Sequence, residues 1–227
     1  MGFFIVIDGI DGCGKSTQVS LLKENLSQKG LPVNVSRWKD SSYIEKLYIG
    51  DLIKRIHQGS VIIPPEARTF LLGADISNRL ETMIKPWLDK GKIVIGDRYI
   101  YKIIAQGIAR GLDKRWLKTL FRFAPEPDLR ILLDVPPQIA LERIASYREI
   151  SFYEAGLDVK RGSDKKSSFL DFQGKVREEL LKLMKEEEGV VIKGQLPLTE
   201  QSRIILGYVE EKLKGKAWAP SYHNSHL

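Results

Sequence analysis

Apolar residues return along this chain with two different spacings. Short runs rich in β-branched and aromatic residues stand at Phe3–Ile7, Val33–Val35, Lys92–Gly96, Leu129–Leu133 and Gly189–Ile192. Between them, apolar positions recur every three or four residues at about 15–29, 43–57, 65–89, 99–110, 113–123, 136–147, 166–187 and 198–213. The first spacing predicts buried strands and the second amphipathic helices. Strands alternating with helices predict an α/β fold, a parallel sheet with helices on both faces. Ligands of such sheets bind at the carboxyl ends of the strands. Three of the runs end there in charge, at Asp8, at Asp97 with Arg98, and at Asp134.

The first junction carries the clearest chemistry. Gly9-Ile10-Asp11-Gly12-Cys13-Gly14-Lys15-Ser16-Thr17 fits G-x-x-x-x-G-K-[ST], after a strand and before a helix, which is the context a phosphate-binding loop needs. Gly9, Gly12 and Gly14 permit a tight loop whose N–H groups meet phosphate oxygens beside the positive end of the helix. Lys15 adds a charge for the β- and γ-phosphates, and the Ser16 hydroxyl is suited to Mg²⁺. The whole loop, Gly9 to Thr17, is therefore assigned to a nucleoside triphosphate.

A second junction reads Ile93-Val94-Ile95-Gly96-Asp97-Arg98-Tyr99. A carboxylate at a strand end holds Mg²⁺ directly or through water, which makes Asp97 the second metal residue. The Arg98 guanidinium offers a planar fork for a phosphate dianion. A salt-bridged strand end is the plainer reading, and the phosphate loop in the same chain favours function.

Composition narrows the class. The 227 residues suit one α/β domain, taken as 1–213, with 214–227 free of periodicity and expected to be a mobile tail unless Trp218 docks. The single cysteine, Cys13, excludes an internal disulfide framework and reads as a small loop residue. No stretch reaches the roughly 18 apolar residues of a membrane span, and Asp8 interrupts the N-terminal run too early for a signal peptide, so a cytoplasmic protein is expected. The net charge of +7 raises the question of nucleic acid, but Lys and Arg are spread without a long basic block, and an enzyme gathering two polyanionic nucleotides has its own reason to be basic.

Several segments together resemble the thymidylate kinases. They are Asp8 to Gln18, Ile84 to Tyr99, Pro127-Asp128-Leu129, Leu133 to Pro137, Leu141-Glu142-Arg143 and Asp171 to Val176. The match runs in register from residue 3 to about 206. Tyr153-Glu154-Ala155-Gly156 and Ser168 to Phe172 resemble archaeal-type members most. The resemblance implies a five-stranded P-loop NTPase fold in three layers, with a short lid at about 148–165. It implies conversion of dTMP to dTDP with MgATP, and a homodimer packed through the long helices.

Residue by residue, it gives Asp11 to the acceptor's sugar hydroxyl and Arg98 to the acceptor phosphate, with Tyr99 beside it and Tyr153 in the lid. One branch of the family carries a catalytic arginine after the loop acid, where this chain has Gly12. The charge is then expected from the lid, from Arg143, Arg148 or Arg161, and Arg143 also falls on the ATP side. Gly194 and Gln195 align with the loop near adenine. Asp158, Asp164, Lys160, Lys165 and Lys166 read as solvated charge.

The chain departs from the family pattern around the acceptor. Ile100-Tyr101-Lys102-Ile103-Ile104-Ala105-Gln106-Gly107 has Lys102 where the family has Ser, and places Gln106, the expected base contact, one residue early. The family's arginine on the long helix aligns with Ile76, leaving Arg79 one turn on as its substitute. The stacking aromatic aligns with Leu72, leaving Phe70 off register, where a core phenylalanine is the plainer reading. Ser36 to Ser42 replaces the usual loop after the second strand. There Arg37 is the candidate for the acceptor phosphate, and Trp38 serves equally as packing. The expected activity is phosphorylation of dTMP. Another pyrimidine monophosphate or a deoxynucleoside remains open as acceptor, as does a nucleotide-dependent switch protein.

Overall fold

Phe3–Asp8 form strand β1, and all six residues are buried. A strand apolar on both faces belongs in the middle of a sheet covered on both sides. In the computed structural model, which describes residues 2–37, 49–160 and 162–215, β1 lies there. The sheet order is β2-β3-β1-β4-β5, with β2 Val33–Arg37, β3 Ile93–Asp97, β4 Leu129–Asp134 and β5 Val190–Lys193. All four pairings are parallel, and the register sets Asp97 beside both Ile7 and Arg37, and Asp134 beside Lys193. The charges at the ends of the apolar runs thus share one rim.

Helix α1 (Lys15–Gln28) leaves the loop after β1, and α2 (Ile49–Gln58) and α3 (Pro65–Arg79) follow β2. The stretch predicted as one helix over 65–89 is divided: α3 passes into a π-helical turn, Leu80–Ile84, and then α4, Lys85–Asp89. Pro86 has no N–H to close the α-helical bond to the Thr82 carbonyl, and a wider turn just before it absorbs the defect. The remaining helices are α5 (Ile100–Ile108), α6 (Lys114–Leu120), α7 (Pro137–Ala145), α8 (Lys165–Glu186) and α9 (Leu198–Gly215).

On α8 the buried side chains Phe169, Val176, Leu180 and Leu183 fall on one helical stripe against the sheet. Two carboxylates cap helices: Asp113 accepts from the Trp116 N–H at 2.7 Å, and Asp164, expected to be solvated charge, accepts from the Ser167 N–H at 2.9 Å. Asp158 departs further from that expectation, being buried and bridged twice by Arg110 at 2.7 and 3.1 Å. Among the described residues no helix is long and apolar enough to cross a membrane. Trp38, the first part of the helix predicted over 43–57, Arg161 and residues 216–227 lie outside the described residues.

Candidate active site

Beyond β1 the backbone turns through Gly9, Gly12 and Gly14 at φ of 154°, 82° and 94°. Gly12 is fixed twice over. Its φ disfavours any residue with a Cβ, and such a Cβ would stand 2.5 Å from the Ala140 carbonyl oxygen. The arginine that one family branch carries here has no room in this chain. Gly14 precedes α1 and has no side chain to occupy the helix's first N–H groups, which leaves them for an anion. The Lys15 ammonium folds back on the loop, donating to the carbonyls of Gly9 at 2.9 Å and Ile10 at 2.7 Å.

The Ser16 hydroxyl donates to Asp97 Oδ2 at 3.0 Å. The register of β1 against β3 brings these two groups together from positions 81 residues apart. A hydroxyl and a carboxylate side by side suit a hard cation that keeps waters and phosphate oxygens as its other ligands, as Mg²⁺ does. Among the described residues no group of three or more His, Cys, Asp or Glu is placed to hold a metal ion.

Carboxylates and cations alternate on the site's floor. Arg98, a non-glycine residue at φ 71°, puts one guanidinium N–H 2.7 Å from Asp11 Oδ1. The Lys102 ammonium stands 3.1 Å from Asp11 Oδ2, and Gln173 Nε2 donates to the same oxygen at 3.3 Å. Burial alone would push the Asp11 carboxyl up, but Lys102, Arg98 and Lys15 together hold it far below the usual range. Asp8 is fully buried and accepts from the N–H groups of Gly9, Tyr99 and Lys102. Its burial outweighs the pull of Lys15 and Lys102 and pushes its carboxyl up.

Helix α3 and the lid build the other half. The buried Arg68 donates from both terminal nitrogens to Gln106 Oε1, at 3.4 Å each, and its guanidinium lies 4.7 Å from the centre of the Tyr153 ring. Arg110 packs against the same ring at 4.9 Å, so Tyr153 is flanked by two guanidinium groups. Burial, with Arg110 close by, pushes the Arg68 guanidinium down to about 9. Arg79 pairs with Asp75 at 3.0 Å and donates to Ser36 Oγ at 3.3 Å. In the lid, Arg148 forms a two-pronged bridge to Glu154, 2.7 Å on each side. Burial pushes the Glu154 carboxyl up, yet the Arg148 bridge and the Ser151 N–H hold it below the usual range.

Many of these groups, though not Asp97, Asp8, Gln173 or Arg110, line one cavity of about 870 Å³, within the range of small-molecule sites. Lys15 and Arg98 both line it, as do Asp11, Gly12, Gly14, Ser16, Thr17, Arg79, Tyr99, Gln106, Arg143, Arg148 and Tyr153. Gly194 joins through its carbonyl, which accepts from Arg143 at 2.9 Å, while a second N–H of Arg143 donates to the Cys13 carbonyl at 3.2 Å. Arg143 thereby ties the phosphate loop to the loop after β5.

Three predicted acceptor or donor residues point elsewhere. Phe70 is 54% exposed and meets Trp116 edge-on, 5.7 Å between ring centres, away from the cavity. Helix periodicity explains it: Phe70 is two residues from Leu72, which does line the cavity. Arg37 turns along α1 and donates to Ser20 Oγ at 3.0 Å. Gln195 is exposed and outside the cavity lining. The site also contains residues to which the sequence alone assigned no role. Lys102 was visible as a lone lysine in an apolar helix, where a buried charge must find a partner. Arg68, one turn before Leu72, and Glu154 gave no signal apart from their positions.

A family model for thymidylate kinase matches residues 7–205. The chain belongs to the thymidylate kinase family. It is 36% identical to a probable thymidylate kinase of Thermococcus gammatolerans, over 94% of this chain and 98% of that one. A probable thymidylate kinase 2 of Saccharolobus solfataricus is also 36% identical, over 93% of this chain and 99% of its own length. A bacterial thymidylate kinase, from Carboxydothermus hydrogenoformans, is 32% identical over 92% of this chain and 97% of its own. The five-stranded parallel sheet agrees with the family's α/β P-loop fold, and the chain is a phosphotransferase of the nucleoside monophosphate kinase type.

Proposed function

We propose that this protein transfers the γ-phosphoryl group of ATP to dTMP, giving dTDP and ADP, with Mg²⁺ and in the cytoplasm. The observation that carries this reading is a single cavity with Lys15 on the phosphate-loop side and Arg98 on the other. The donor phosphates lie in the loop from Gly9 to Thr17 against Lys15. The acceptor's phosphate lies against Arg98, with Arg79 and Tyr99 on the same wall. An oxygen of that phosphate attacks the γ-phosphorus as the bond to the β–γ bridging oxygen breaks. The chain's part is to align the two nucleotides and neutralise the charge spread over the transferred group. Ser16 and Asp97 would hold Mg²⁺, which screens the β- and γ-phosphates when bound. Gly12 cannot supply a cation, so Arg148 and Arg143, which both line the cavity, supply the charge.

The base end of the acceptor falls among Leu72, Ile103, Arg68 and Gln106. Arg68 donors suit a carbonyl on the base, as thymine carries at position 4, better than an amino group. A coupled assay with ATP and a panel of nucleoside monophosphates tests the reading. dTMP should be phosphorylated at least about tenfold better than dCMP, the discrimination that one buried hydrogen bond supplies. Equal rates on dCMP or UMP would defeat the choice of dTMP. ATP hydrolysis indifferent to every monophosphate would defeat the kinase.

We also propose a homodimer. The exposed Phe70 of α3, meeting Trp116 of α6 edge-on, offers an aromatic surface of the kind that self-association covers.

A further inference from the structure

The family pattern has serine where this chain has Lys102, and the lysine is one of the most buried charges in the molecule. Its side chain is 3% exposed and sits in the first turn of α5, where Tyr101 to Gly107 are all buried. The ammonium has two fixed partners, Asp11 Oδ2 and the Gly9 carbonyl, both at 3.1 Å. The residue's backbone N–H is bound as well, to Asp8 Oδ2 at 3.3 Å.

Asp11 therefore has two cations of unequal freedom. Lys102, which also borders the cavity but is only 3% exposed, takes Oδ2. Arg98 takes Oδ1 with a side chain that is 38% exposed and faces the cavity. Because the two cations use different oxygens, one can leave without disturbing the other. A buried carboxylate left without any cation costs several kcal/mol, so an arginine that was its only partner would be held back from a ligand.

We infer that Lys102 is a positioning residue for the acceptor phosphate: as the standing counter-ion of Asp11, it frees the Arg98 guanidinium to turn from that carboxylate to the phosphate of the incoming monophosphate. The inference rests on the phosphoryl transfer proposed above. It explains why Asp11 carries more cationic partners than a buried carboxylate needs. Lys102, held by Asp11 and the Gly9 carbonyl, completes its charge while the more exposed Arg98 remains exchangeable.

The groups facing the Lys102 ammonium are Asp8 from the end of β1, Asp11, Cys13 and Lys15 from the phosphate loop, and Arg98 from the end of β3. Burial, aided by Lys15 and Arg98 and opposed by Asp11, pushes the ammonium down to about 8. Above that pH the counter-ion loses its proton, and Arg98 becomes the only cation in direct contact with the Asp11 carboxylate.

The test is steady-state kinetics on wild type, Lys102→Met and Lys102→Arg, varying dTMP and ATP separately across neutral to alkaline pH. Lys102→Met keeps the volume and removes the charge. It should raise the KM for dTMP by about tenfold or more while the KM for ATP stays within about twofold. Lys102→Arg should keep a near-normal KM for dTMP at neutral pH and carry the alkaline fall of kcat/KM for dTMP to higher pH. A folded Lys102→Met enzyme with an unchanged KM for dTMP overturns the inference. If that variant does not fold, Lys102→Arg decides, and an alkaline limb identical to wild type overturns it. Wild-type protein inactive on every monophosphate would instead overturn the functional reading, and the inference with it.

Discussion

A single glycine excludes a side-chain charge at one position of the phosphate loop. At Gly12 the backbone is left-handed and the space for a Cβ is already filled by the Ala140 carbonyl oxygen. Gly12→Ala should cost at least about 1–2 kcal/mol of stability from backbone strain alone, and it should weaken ATP binding because the loop must shift. Gly174, in the interior of α8 with open space where a methyl group would stand, is the matched control: Gly174→Ala should gain about 1 kcal/mol. Denaturation curves and ATP titrations on the two variants check this, and equal effects would mean that loop geometry does not constrain the site. At this scale the sequence was legible where chemistry and spacing agree. Gly9 to Thr17, Asp97 and Arg98 were assigned from the motif and its neighbours, and their geometry is compatible with those assignments. Phe70 and Arg37 were not legible, because one or two residues of register decide which way a side chain faces, and no propensity records that. Lys102 stood in plain view as a departure, but only the fold supplies Asp11 as its partner.

Among the elements, the lid carries the charge proposed to act on the transferred group. Arg148 is bound two-pronged by Glu154, whose carboxylate is also fixed by the Ser151 N–H. The guanidinium is thus held in the cavity lining by its own bridge, as transition-state stabilisation by preset charge requires. Arg148→Ala should lower kcat by about 10²–10³-fold with little change in ATP affinity. A matched loss of ATP affinity would make it a binding residue only. The five strands and the alternation with helices were legible in the apolar runs, because buried parallel strands have no other way to be written. The division of the long helix at the π-turn was not: Pro86 announces a defect in the hydrogen-bond ladder, but the chain can repair it by kinking, ending or widening. The lid's packing was hidden for a similar reason, since Asp158 reads as surface charge until Arg110 is brought against it.

At the scale of the whole molecule, the proposed function asks that two substrates meet, and the proposed dimer that two chains assemble. Phe70→Glu should shift the protein from dimer to monomer in light scattering, with the cavity unaffected; a dimer unchanged by that charge would place the interface elsewhere. The proposed function requires that one cavity receive both nucleotides end to end, Lys15 serving one and Arg98 the other. It is tested most directly by calorimetry with adenosine and thymidine joined through their 5′ oxygens by a chain of five phosphates. One such molecule should bind per chain, about a hundredfold or more tighter than either ATP or dTMP alone, since the second half binds at the high effective concentration that the first imposes. Affinity no better than that of ATP would mean that the two halves do not share the site, and would contradict the account.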